Sequence, residues 1–164
     1  PLHARAKPAK LDDRILQQAR QVARLLHGKV SVCHAYVPPA SYMMGDVLGP
    51  VPVQMPGLPD QVRRYTATVR AATNRLALRY GIPAAARFVE TGNPATVLPR
   101  LTRRLSSDVL VMGAVSRSGL KRLLIGGTAE RVIDEVSCDV LIVKPDSFRA
   151  AVPRRARMQP LPIP

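Results

Sequence analysis

Two runs of uninterrupted apolar residues, Val109–Leu110–Val111–Met112 and Val140–Leu141–Ile142–Val143, constrain this chain more than any other feature. Neither run offers a polar face to water, so each reads as a strand covered on both sides, the pattern of a parallel sheet flanked by helices. Between them Ala129, Val132, Ile133 and Val136 recur at helical spacing, which predicts a helix starting near Thr128. Strand, helix, strand in that order is a crossover unit, and its right-handed form places both strands in one sheet.

The rest of the chain extends the alternation. Leu11, Ile15, Ala19, Val22, Ala23 and Leu26 mark a helix over residues 11–26, with Asp12 and Asp13 at its electropositive start and Gly28 as a stop. A strand over 29–37 follows, closed by Pro38 and Pro39. Residues 37–59 hold six prolines and three glycines and read as a long loop. Its Tyr42, Met43, Met44, Val47 and Leu48 leave two readings open, a cover over a groove and a plain connection. Val62, Tyr65, Val69, Ala72 and Leu76 predict a helix over 59–80 ending at Gly81, and Phe88 and Val89 a strand over 84–90. Asn93 and Pro94 are a helix cap and first-turn residue, predicting a helix over 94–105 that Pro99 should kink. The apolar runs complete strands over 108–112 and 139–144. The expectation is an α/β domain with helices on both faces of an open parallel sheet.

Composition narrows the function classes. In 164 residues, 25 Lys and Arg against 11 Asp and Glu give a formal net charge of +14, so an anionic partner has to be considered. No apolar run approaches the roughly 20 residues that cross a bilayer, and the amino-terminal stretch lacks a signal-peptide core, which points to the cytoplasm and away from a membrane. Cys33 and Cys138 are too few for a disulfide scaffold. HExxH, CxxC, GxSxG and P-loop patterns are missing from the sequence, so no catalytic residue and no metal ligand is expected. His34 reads as a core or edge residue of its strand, and His3 and His27 as incidental.

One loop has the composition of an anion site. Gly113 stands at the carboxyl end of an apolar strand, and Gly126, Gly127 and Thr128 at the entrance of the next helix, where free backbone N–H groups and the helix dipole attract phosphate. Open parallel sheets bind ligands outside the carboxyl ends of their strands. The same glycines also suit a tight connection with no ligand, and spacing alone leaves both readings open.

The run from Asp108 to Gly113, the following Ala-Val-Ser-Arg-Ser-Gly119, then Leu124 to Ile133 and Cys138 to Pro145, resembles the carboxyl-terminal signature of the universal stress proteins. Thr128-Ala129-Glu130, Lys144-Pro145-Asp146, Glu90-Thr-Gly-Asn-Pro94 and Val97-Leu98-Pro99 are most similar to the second repeat of the tandem-domain, E-type members. The resemblance implies a five-stranded parallel sheet in the order 3-2-1-4-5. It implies an adenine-nucleotide site, ATP or AMP, at Gly113, Ser116, Arg117, Gly126, Gly127 and Thr128. That motif is degraded, because Ser116 replaces its second glycine and Gly127 sets Thr128 one place late. It also implies pairing through a last strand of Val140, Leu141, Ile142 and Val143, either in a homodimer or with a second domain of the same kind.

Nothing before Leu11 resembles the family's first strand or the acidic residue at its end, and the chain opens on Pro1 rather than Met. The expectation is that the first strand lies outside this chain, with residues 1–10 a basic lead-in, 11–146 the domain and 147–164 a basic tail rich in Pro and Arg. Such a sheet would carry a gap between the family's second and fourth strands. The leading functional expectation is a non-enzymatic stress-response domain acting through a partner or small ligand. The alternative is a nonspecific nucleic-acid-binding module using the basic surface and Arg-rich tail, although aromatic residues make up only 4% and no base-reading motif is present.

Overall fold

In a computed structural model, residues 10–38, 58–113 and 127–145 are described. Most of the expected loop over 37–59, nearly all of the lead-in, the tail, and Ser116, Arg117 and Gly126 lie outside those residues. The element order is α1 (Leu11–Leu25), β1 (Val32–Tyr36), α2 (Leu58–Arg79), a 3-10 turn (Ala84–Ala86), β2 (Arg87–Thr91), α3 (Pro94–Arg104), β3 (Val109–Gly113), α4 (Gly127–Glu135) and β4 (Asp139–Val143). This is the predicted alternation. One segment differs: residues 84–86, expected to open a strand, form the 3-10 turn, because three alanines bring neither β-branched bulk nor cross-strand packing.

The helix ends follow from their residues. Gly81 adopts φ 65°, and the Ile82 N–H donates back to the Ala77 carbonyl at 3.0 Å, closing α2 with a left-handed cap. Asn93 caps α3, its Oδ1 accepting from the Ala95 N–H at 3.0 Å, with Pro94 in the first turn. Pro99 lies buried inside α3, and its carbonyl accepts from the Thr102 hydroxyl at 3.0 Å.

The strands form two parallel pairs. β1 pairs with β2 from Val32 opposite Arg87 to Tyr36 opposite Thr91, and β3 pairs with β4 from Val109 opposite Asp139 to Gly113 opposite Val143. Among the described residues no ladder joins β1 to β3, so the sheet is split into two halves. Helices bridge them. α1 packs on β3 and β4, while its Leu16 joins Ala77 and Ile82 in a core cluster that Val30 and Val32 flank. α3 packs on β1 and on α4, and α2 covers β1 and β2. Leu11 and Val132 are the largest fully enclosed side chains, one facing β3 from α1 and the other in α4.

Candidate functional site

Alternation along β1 and β2 sorts their side chains onto two faces. Cys33 lies opposite Phe88, and Ala35 opposite Glu90. On that face the Arg104 guanidinium of α3 sits 5.4 Å from the centre of the Phe88 ring and 3.3 Å from Glu90 Oε1, with Arg100 at 3.8 Å from Oε2. Burial, and secondarily the Glu90 charge, push the Cys33 thiol up from 9.0 to about 11, with Arg104 opposing. Cys33 is therefore a protonated thiol at neutral pH, and both cysteines are free.

The opposite face faces α2 and carries a polar cluster that the sequence reading did not single out. The buried Tyr36, last in β1, shares a 2.8 Å hydrogen bond with the Thr66 hydroxyl and accepts one of 3.1 Å from the Thr91 hydroxyl. The Tyr65 ring lies 5.7 Å from the Tyr36 ring centre to centre. A tyrosine ending a predicted strand was the available signal; its partners are 30 and 55 residues away in sequence.

The loop expected to hold an anion is described only at its two ends. Gly113 closes β3, and α4 runs from Gly127 back to Glu135 and the foot of β4, so the amino terminus of α4 points toward the carboxyl ends of β3 and β4. Gly127 and Thr128 are exposed there, and a β-carbon on Gly127 would meet nothing within 4 Å among the described residues. Gly113 differs: a β-carbon there would lie 2.8 Å from Ile15 Cδ1 and 3.1 Å from Leu11 Cδ2. Its glycine permits α1 to close on the strand end. Val140, Leu141 and Ile142 are half-buried and Val143 buried, all paired to β3. His34 is exposed on β1. Among the described residues no cluster of three or more His, Cys, Asp or Glu side chains is arranged to hold a metal, and no helix is long and apolar enough to cross a membrane.

Two parallel strand pairs, helices that return between the strands and a glycine-led helix start at the strand ends define an α/β domain of the open parallel-sheet class. Residues 9–144 match the Universal stress protein family, and the chain belongs to that family. It is 30% identical over 148 residues to universal stress protein E of Salmonella typhi, covering 87% of this chain and 44% of that protein. A functionally unknown protein from Pseudomonas aeruginosa PAO1 has a similar structure, with TM-score 0.60 and 27% identity over 81% of this chain and 40% of that one. A universal stress protein solved in complex with cAMP shares the fold, with TM-score 0.52 and 22% identity over 81% of this chain and 86% of that one. The chain thus spans less than half the length of the Salmonella and Pseudomonas relatives.

Proposed function

We propose that this chain is a non-enzymatic stress-response domain, the counterpart of the second repeat of an E-type universal stress protein, that binds an adenine nucleotide weakly at the loop between β3 and α4. The observation that carries the reading is the exposed start of α4, where Gly127 opens backbone N–H groups to an anion and, among the described residues, no side chain fills the space beside it. Thr128 adds a hydroxyl donor, and Gly126, Ser116 and Arg117 belong to the same loop in sequence. A relative with cAMP bound supports the ligand class. The close fit of Gly113 to α1 argues for modest affinity, because that glycine already has a packing role. Partner binding, either to a second copy or to a second domain of its kind, would use the outer edge of β4 at Val140 to Val143.

Calorimetric titration of ATP and AMP tests the reading. Saturable binding that Gly126→Val abolishes supports it; no heat from a chain whose folding is confirmed by circular dichroism overturns it. Nonspecific nucleic-acid binding is the second reading, favoured by a net charge of +14 and by Arg64, Arg70 and Arg75 exposed along α2. Its signature is affinity that falls steeply with salt and that drops when residues 149–157 are deleted.

A further inference from the structure

β2 has one paired edge and one open edge. β1 takes the inner edge from Arg87 to Thr91, and among the described residues no strand pairs with the outer one. A cleft of about 390 Å³ lies between β2 and α2, lined by the four consecutive residues Arg87 to Glu90 and, across from them, by Arg70 and Asn74. Successive side chains of a strand alternate between the two faces of a sheet, so a cleft that touches four residues in a row follows the backbone along its edge. One wall of the groove thus presents main-chain N–H and C=O groups, and an open edge of that kind accepts a further strand.

The side chains on the two faces of this edge differ in chemistry. Toward α2 stand Arg87 and Val89, with Arg70 and Asn74 one turn apart on the facing helix. The Ile82 carbonyl fixes the Arg87 guanidinium, accepting from Nε at 2.9 Å and from Nη2 at 2.6 Å. A guanidinium carries five N–H donors, so that carbonyl leaves three for another acceptor. Among the described residues no carboxylate pairs with Arg70. Toward α3 stand Phe88 and Glu90, where the charge is already met: Glu90 pairs with Arg100 and Arg104, and the Arg104 guanidinium covers the Phe88 ring. The groove is therefore cationic on its α2 side and charge-balanced, with an aromatic ring, on its α3 side.

We propose that this groove docks an extended segment of a partner protein, with Glu or Asp at every second position and apolar residues between, which adds to the sheet as a strand beside β2. Its carboxylates face Arg70 and Arg87, since a guanidinium binds a carboxylate through two parallel hydrogen bonds, and its apolar side chains lie beside Phe88. Main-chain hydrogen bonds supply the affinity. The alternation supplies the register, because a slip of one residue turns every carboxylate onto the Phe88 face. A second copy of this chain is a poorer occupant, since its own β2 edge and α2 bring another Arg87 and Arg70 to the same place. None of these residues lies in the loop between β3 and α4, so nucleotide and segment would bind independently.

The test uses the 164-residue chain and a fluorescein-labelled peptide of alternating Val and Glu. Beside it stand a block isomer with every Val before every Glu, a peptide of alternating Val and Lys, and the Val/Glu peptide N-methylated at one or the other alternate set of residues. Saturable anisotropy is expected from the Val/Glu peptide, with slowed amide exchange within Arg87–Thr91 and none within Asp139–Val143. The block isomer and the lysine peptide should bind about tenfold or more weakly. Methylating the set that meets the edge should abolish binding, while methylating the other should spare most of it. Arg70→Glu, at an exposed position of α2, should weaken the Val/Glu peptide about tenfold and strengthen the Val/Lys one. No saturable binding, equal binding by the block isomer, indifference to which set is methylated, protection at Asp139–Val143 instead, or an unchanged preference in Arg70→Glu would each overturn the proposal. So would protection of Arg87–Thr91 that grows with protein concentration in the absence of peptide, which marks a second copy on this edge.

Discussion

Ile15 of α1 closes on Gly113 at the end of β3 so tightly that a β-carbon on the glycine would stand 2.8 Å from the Ile15 Cδ1 atom. Leu11, 2% exposed, fills the other side of the same contact. This pair ties the first helix to the second half-sheet, and it gives a glycine expected to serve a phosphate a second role in packing.

Gly113→Val should therefore destabilise the chain by about 1–3 kcal/mol, the usual cost of forcing extra methyl groups into a filled contact. Ile15→Ala alone should also destabilise, by roughly 2–5 kcal/mol at most, through lost burial. Combined, the two should cost less than their sum, because the space vacated by Ile15 accepts the new side chain. Chemical denaturation of the four proteins checks the sign of the coupling; simple additivity would show that the valine is accommodated elsewhere.

At Tyr36 the prediction concerns hydrogen bonds rather than volume. Tyr36→Phe keeps the ring against Tyr65 but strips Thr66 and Thr91 of their shared partner, at a cost of about 0.5–1.5 kcal/mol. Thr66→Val in the same background should add little, since its partner is already gone. A double-mutant cycle by urea denaturation would expose an independent role for Thr66 as full additivity.

Cys33 sets a pH window. Its thiol is protonated in the fold well past the point where an exposed thiol ionises, from 9.0 up to about 11, because burial disfavours the thiolate. A folded pKa above the unfolded one means that the contribution is intact below pH 9 and is lost as pH rises toward 11. Cys33→Ala should flatten the fall in stability across that window. In a Cys138→Ser background, iodoacetamide labelling of the native chain should stay slow at pH 8 and accelerate with a midpoint near pH 11; rapid labelling at pH 8 would contradict the burial.

The long elements were legible because each carries its own period. β3 and β4 announced themselves as apolar runs, and α1, α2 and α3 by spacing plus Gly28, Gly81 and Asn93 at their ends. Residues 84–86 were misread because a strand prediction centred on Phe88 and Val89 cannot tell where the extended backbone begins. The Tyr36 cluster was invisible for a different reason: its three hydroxyl groups come from β1, α2 and β2, and only the packing of α2 on the strands brings them together. For the candidate site, Gly113 and Gly127 look alike in sequence, and only the position of α1 distinguishes the packed glycine from the open one.

The turn from β2 into α3 carries the last prediction. Gly92 sits at φ 137°, and a β-carbon there would approach Val97 Cγ2 to 3.0 Å, while its N–H donates to the Tyr36 carbonyl at 2.8 Å. Gly92→Ala therefore combines a backbone conformation that side chains resist with a tight contact, and should cost about 1–3 kcal/mol. The neighbouring Asn93→Ala loses only the cap, about 0.5–2 kcal/mol, and Asn93→Asp should recover most of it because a carboxylate accepts the same Ala95 N–H. Adding Val97→Ala to Gly92→Ala separates the two causes. Val97 is itself 3% exposed, so the cycle includes Val97→Ala alone. With the backbone penalty left in place, Gly92→Ala should cost only a little less in the Val97→Ala background than in the native one, and no cost at all there in thermal unfolding would show that the contact, not φ, fixes glycine at this position.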